Sequence, residues 1–140
     1  MGVWTGRELI VAGGDHLVTV HGITDDEALR AAAAYDPASR TWRRLPPMPV
    51  AVTGGSAVWD GHEMIVVGGG LRRGVAYDPA TNAFTSFDLP TRGSEVRYVS
   101  LYEKDGQMKV VLPSYRTRKV TVMGFRSEAD LQASKAQAAR

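Results

Sequence analysis

The sequence predicts an all-β chain assembled from repeated four-stranded antiparallel units, and three observations carry that expectation. A phrase of strand, tight turn, buried strand and double glycine occurs twice, as Trp4-Thr5-Gly6-Arg7-Glu8-Leu9-Ile10-Val11-Ala12-Gly13-Gly14 and as Trp59-Asp60-Gly61-His62-Glu63-Met64-Ile65-Val66-Val67-Gly68-Gly69. Each copy is followed by Tyr-Asp-Pro-Ala, at Tyr35 to Ala38 and at Tyr77 to Ala80. An aromatic then stands seven residues after each tyrosine, Trp42 in one copy and Phe84 in the other. Two ordered motifs, each present twice, define an internal repeat.

Taken in order, Val3-Trp4 is the stub of a first strand, matched in the second unit by Ser56 to Trp59. Glu8 to Ala12 and Glu63 to Val67 are short apolar runs, rich in β-branched residues, that read as buried strands ending at the double glycines. Asp60-Gly61 carries the chemistry of a two-residue hairpin turn. Asp36-Pro37-Ala38-Ser39 and Asp78-Pro79-Ala80-Thr81 read as type I turns, because Asp accepts a backbone N–H and Pro presets φ at the next position. Thr41 to Leu45 and Ala83 to Phe87 are the outgoing strands. The Trp-x-Gly phrases are 55 residues apart but the Tyr-Asp-Pro phrases only 42, which leaves a 13-residue insertion after the first double glycine. That insertion, from Asp15 to about Leu29, is expected to be the largest loop, with a small apolar alternation at Leu17 to Val20.

A third, weaker unit begins near Glu95. Asp105-Gly106 lies 45 residues beyond Asp60-Gly61, and the same offset sets Val110-Val111-Leu112 against Ile65-Val66-Val67. The double glycine has become Pro113-Ser114. Residues 118–124 alternate well enough for a strand. Beyond it, Ser127-Glu128-Ala129-Asp130 has an N-cap serine and early acids, so a short helical tail is expected over 126–140. Leu131 is its single large apolar residue, which predicts a frayed or loosely docked helix.

Four short strands per unit of some 42–55 residues, punctuated by glycine and aromatics, is a pattern found in propeller blades. The residues Gly13-Gly14, Tyr35-Asp36 and Trp42, then Gly68-Gly69, Tyr77-Asp78 and Phe84, make the chain resemble the kelch-repeat β-propeller family. The resemblance covers residues 1–90 well and 95–125 loosely. It implies blades at about 1–49, 50–92 and, degenerate, 93–125, with the double-glycine strand second from a central channel. So few blades form an incomplete ring. Such an open stack leaves an apolar face and a bare strand edge at each end. The expected resolutions are a longer propeller of which this is a piece, self-association to complete the ring, or capping by the last unit and tail. By the same resemblance, residues 117–125 are candidates to complete the blade of the opposite terminus.

Bulk composition narrows function by exclusion. The formal net charge is +2, split as −3 over residues 1–91 and +5 over 92–140, which argues against a polyanion binder and gives no expectation of a nucleic-acid partner. With no cysteine there is no disulfide, thiolate zinc site or cysteine nucleophile. No apolar run reaches the roughly 18 residues of a membrane span, and no signal peptide is visible, so no membrane partner is expected and the compartment stays open between cytoplasmic and exported.

Function in propellers sits on rim loops, since strands are occupied with packing. The insertion carries Asp15, His16, His21, Asp25, Asp26 and Glu27, and the short second loop carries Arg72 and Arg73. Asp15, His16, His21, Arg72 and Arg73 are therefore the candidate binding residues. The two histidines with neighbouring acids match no metal spacing, and no metal or other cofactor is expected. Arg72, Arg73, Arg92, Arg97, Arg116, Arg118 and Lys119 would form a basic rim if clustered, suited to an acidic protein segment or a charged glycan. Galactose oxidase-like kelch propellers need a cysteine cross-linked to tyrosine, which is lacking here. A mutarotase-like site would have to use Glu8, Glu63 or Arg97. No catalytic constellation stands out. The expectation is a non-catalytic module binding a protein, or alternatively a glycan, through rim loops. The competing expectation is a kelch-type propeller enzyme or carbohydrate-binding protein whose remaining blades lie outside this chain.

Overall fold

The repeated phrase folds the same way twice. The computed structural model describes residues 1–69, 73–89, 96, 98–114 and 118–124. In the first unit, β1 (Gly2–Trp4), β2 (Leu9–Ala12), β5 (Ala32–Asp36) and β6 (Thr41–Arg44) form an antiparallel sheet in the order β1-β2-β5-β6. In the second, β7 (Gly55–Trp59), β8 (Met64–Gly68), β9 (Arg73–Asp78) and β10 (Ala83–Asp88) form the same arrangement, β7-β8-β9-β10. Each double-glycine strand is second in its sheet. A third sheet has three strands, β11 (Ser100–Lys104), β12 (Gln107–Ser114) and β13 (Lys119–Gly124). Among the described residues there is no helix; the expected helical tail over 126–140 lies outside them.

The sheets stack face to face, and the middle one is buried on both sides. All of Met64, Ile65, Val66, Val67 and Gly68 are buried. Met64 and Val66 join a core with Val3, Ile10, Ala12, Ala32 and Ala34 of the first sheet. Ile65 and Val67, pointing the other way, join a second core with Val110 and Leu112 of the third. Successive strand residues alternate faces, so a continuous apolar run is what a doubly covered strand requires. Each such side chain contributes on the order of 1.5–3 kcal/mol by leaving water.

The double glycines have a specific task. Gly68 adopts φ 93°, and a Cβ there would collide with the carbonyl oxygen of Val96. Gly13 meets the Val52 carbonyl in the same way, at 2.5 Å from the ideal Cβ position. Each glycine thus lets the chain entering the next sheet cross close over the end of the previous one. The amide of Gly14 donates to the Val52 carbonyl at 2.9 Å, fixing that crossing.

The turns follow their chemistry, with one difference. Asp36 and Asp78 each accept the amide two residues on, from Ala38 and Ala80, both at 2.8 Å. The position four after each Asp, Arg40 and Asn82, takes φ near +55° (57° and 54°). Asp60-Gly61 does not form the expected two-residue turn. Trp59 pairs with Met64 across a four-residue loop, in which Asp60 Oδ1 accepts the amides of His62 and Glu63 at 2.8 and 2.6 Å. Thr5 Oγ1 does the same for Arg7 and Glu8 in the first unit. A capping side chain and a glycine at φ 104° make the wider loop.

The third sheet departs from the repeat. Residues at equivalent positions in a stack should face the same way, yet Ile65 and Val67 face the third sheet while Val110 and Leu112 face the second. The 45-residue offset therefore matches positions on opposite faces, because an odd slip flips every side chain. The shorter turn at Asp105-Gly106, with φ 56° and 73° between the paired Lys104 and Gln107, is one visible difference. β13 pairs along β12, from Ser114↔Lys119 to Lys109↔Gly124, and does not complete the first sheet.

Candidate functional site

The insertion is a β-hairpin. Asp15–Val20 is β3 and Ile23–Ala28 is β4, paired antiparallel in register from Asp15↔Ala28 to Val20↔Ile23. His21 and Gly22 make the turn with φ 51° and 78°, the doubly positive geometry of a type I′ hairpin. The expected loop is therefore a structured ribbon. Its base is tied down: the Leu29 amide donates to the Gly14 carbonyl at 2.8 Å, and the Val52 amide to the Leu29 carbonyl at 3.0 Å. Arg30 Nε donates to the Met48 carbonyl at 2.6 Å just beyond.

Above that base the ribbon is exposed on both faces. Only Val18 and Ala28 are partly covered, while Leu17 and Ile23 remain 71% and 73% exposed. Cross-strand pairs share a face, so Val18, Val20 and Ile23 lie together with Asp25, His16 and Glu27. A shallow depression of about 540 Å³ is lined by Val18, Val20, Ile23, Asp25 and Glu27 of this face, with His21 at its tip end and Asp26 at its border. The hairpin carries four acids, Asp15, Asp25, Asp26 and Glu27, and no lysine or arginine. It is thus apolar along its floor and acidic along β4.

The sequence-predicted residues separate accordingly. His16 lies beside Glu27, Nε2 to Oε2 at 3.4 Å, both exposed. Asp15 projects from the opposite face to His16, and His21 occupies the turn, so the hairpin does not gather the three. Among the described residues, no group of three or more metal-ligating side chains comes together. Arg73 opens β9 and its Nε donates to Asp88 Oδ1 at 2.7 Å. The ion pair between facing residues of β9 and β10 engages the one described arginine of the second loop, so it does not stand as a free cation of a basic rim. Arg72, Arg92, Arg97 and Arg116 lie outside the described residues. Sequence reasoning placed Asp25, Asp26 and Glu27 in the insertion but neither resolved the strand that carries them nor singled out Ile23; the signal was His-Gly between two runs of alternating polarity.

A second depression, of about 430 Å³, lies where the first two sheets meet near their turns. Arg43 Nη2 binds both Glu8 oxygens there, at 2.8 and 3.1 Å. Tyr77 and Glu8 together push the guanidinium further toward the charged form. Glu8 is thus held by a partner. At the equivalent position Glu63 is not, because Thr85 stands where Arg43 would. Burial, with the nearby carboxylates of Asp60 and Asp78, raises the Glu63 pKa above the ordinary glutamate value. A raised folded value favours the protonated fold, so the stability it contributes is complete below the unfolded pKa and declines as pH rises through the folded one. Glu63→Gln is therefore expected to melt at higher temperature than the parent at about pH 7, the difference vanishing by about pH 4. A gain that persisted unchanged in acid would contradict this. His62, beside it, is exposed on the loop.

A comparison with protein-family models finds no match, and a comparison with curated proteins finds none either.

Proposed function

We propose that the chain is a non-catalytic binding module of the kelch-like propeller type, and that its contact element is the β3–β4 hairpin, taking an extended polypeptide of mixed basic and apolar character. The observation that carries this reading is the exposed apolar floor beside the acidic row of β4. Among the described strands, β3 and β4 pair only with each other. Each therefore keeps one open edge, and open edges accept a further strand. A two-stranded ribbon is marginal in water by itself. A third strand along β4 would set basic side chains opposite Asp25 and Glu27 and an apolar one opposite Ile23, all on one face.

The kelch-like part of the proposal rests on the paired phrases and on the double-glycine strand lying second in each four-stranded sheet. The hairpin leaves the sheet at the double glycine, where the second unit has its short connection.

A synthetic peptide with valine, lysine, lysine and valine at alternate positions and threonine between them is the probe, since one of its faces then offers valine to Ile23 and lysine to Asp25 and Glu27 in either strand direction. It is expected to bind saturably, with amide shifts concentrated on residues 23–28 and affinity falling as salt rises. Asp25→Asn with Glu27→Gln should weaken it by roughly threefold to tenfold, the size of two cross-strand charge pairs. A chain in which a short turn replaces residues 15–28 should keep its sheets and lose the peptide. Equal binding of the same peptide with glutamate in place of lysine, or undiminished binding by the shortened chain, would refute the proposal.

A further inference from the structure

One face of the first sheet is built for a neighbour. Reading across the strand pairs, Trp4, Leu9, Tyr35 and Trp42 lie in a single row on the face turned away from the second sheet. The equivalent row of the second sheet is Trp59, Met64, Tyr77 and Phe84. Every member matches at the repeat offset, 55 residues for the first two and 42 for the others. That second row is covered: Met64 and Tyr77 are fully buried, and Trp59 and Phe84 pack against the same core. What covers it is the small-residue face of the first sheet, Val3, Ile10, Ala12, Ala32 and Ala34. Among the described residues the first sheet's own row has no such cover, and Trp4 and Trp42 are 52% and 58% exposed.

The other end of the stack offers a matching surface. On the face turned away from the second sheet, β12 and β13 set Val111, Pro113, Val120 and Val122 together, with Lys109 and Gly124 beyond them and Ser100 and Tyr102 of β11 alongside. Val120 and Val122 are 65% and 52% exposed. The β12–β13 half of this face is a low aliphatic surface, comparable to the Val3, Ile10, Ala12, Ala32 and Ala34 face that receives the aromatic row of the second sheet. Among the described residues, both halves of the internal interface are thus present and exposed on one chain.

We propose that the Trp4–Trp42 row binds a second copy of this chain, docked head-to-tail against the valine face of its third sheet. Head-to-tail contacts close into rings when the rotation allows and otherwise grow. Two copies supply twice the three stacked sheets, within the roughly four to eight that close a propeller ring. Only the closure rests on the propeller reading; the contact rests on the repeated row. This surface is separate from the hairpin.

Sedimentation velocity of the full chain is expected to show a discrete dimer that forms with concentration. Its formation should shift tryptophan emission to the blue as Trp4 and Trp42 leave water. Trp42→Arg, and independently Trp4→Lys, should give monomer, as should Val122→Asp at the other end. All three sites are more than half exposed, so circular dichroism should still report the parent sheet content. Mixing Trp42→Arg with Val122→Asp should restore a heterodimer, since one intact contact remains between them. A chain that stays monomeric at all concentrations, a dimer indifferent to these substitutions, or a mixture that fails to associate would overturn the proposal. A ladder of ever larger species would overturn the closure.

Discussion

Gly68→Ala should cost the fold on the order of 3 kcal/mol or more, adding a steric clash of about 1–3 kcal/mol to backbone strain of about 1–2 kcal/mol. Two separate penalties meet at this position. The backbone is at φ 93°, where an L side chain is strained whatever the space. The new methyl would also overlap the Val96 carbonyl, and that strand-leading segment is itself bridged to Ser114. Moving it means loosening the core that Ile65, Val67, Val96 and Leu112 share. Gly61→Ala is the control: φ is 104°, but nothing lies within 4 Å of the new Cβ. It should lose only the strain component, about 1–2 kcal/mol. Urea unfolding of the two variants isolates the close approach. Equal losses would mean that the crossing chain yields freely and that the double glycine serves φ alone.

Those glycines were legible because they repeat. A phrase that returns with the same punctuation reports what every unit needs, and the structure gives each of its residues a packing or turning task. Trp59, Met64 and Tyr77 fill the intersheet core, Asp60 caps the loop, and Gly68 admits the next chain. The four-stranded sheets follow from that phrase together with the Tyr-Asp-Pro phrase and the aromatic after it, whereas the second place of the double-glycine strand was implied by the family resemblance. Register was less legible. Asp60-Gly61 has hairpin chemistry, but the cap formed by Asp60 Oδ1 widens the loop to four residues, and composition does not distinguish the two. In the third unit, Val110-Val111-Leu112 is apolar at three successive positions. Such a run is compatible with either facing, so the offset that matched it was off by an odd number.

The candidate site was legible in position and not in form. The insertion was located by arithmetic on the repeat, yet Asp25-Asp26-Glu27 reads as loop because consecutive acids disfavour strands. Pairing with Leu17, Val18 and His16 across a His-Gly turn overrides that preference. The basic residues failed for another reason. A net charge count treats Arg73 as available, whereas the sheet sets Asp88 directly opposite it. Pairing across strands is invisible until register is known, and register is what the sequence specifies least.

The sharpest test of the stack compares two tyrosines that the sequence cannot tell apart. Tyr77→Ala should destabilise by roughly 3–5 kcal/mol, the range for emptying a buried aromatic site. The ring is fully buried, lies 4.7 Å from that of Phe84, and its hydroxyl donates to Asn82 Oδ1 at 2.8 Å. Tyr77→Phe, which keeps the ring and loses that bond, should cost only about 1 kcal/mol. Tyr35 stacks on Trp42 at a similar 5.1 Å but on the uncovered face. In dilute solution Tyr35→Ala should therefore cost only about 1 kcal/mol, a value near the centre of single-substitution effects. Should a second copy cover that face, the cost of Tyr35→Ala would grow with protein concentration while that of Tyr77→Ala would show no comparable growth, because only the former removes part of an intermolecular contact. Melting both variants across a dilution series reads the difference directly. Parallel behaviour of the two would mean that the first sheet is finished as it stands, and that its aromatic row has a purpose other than stacking.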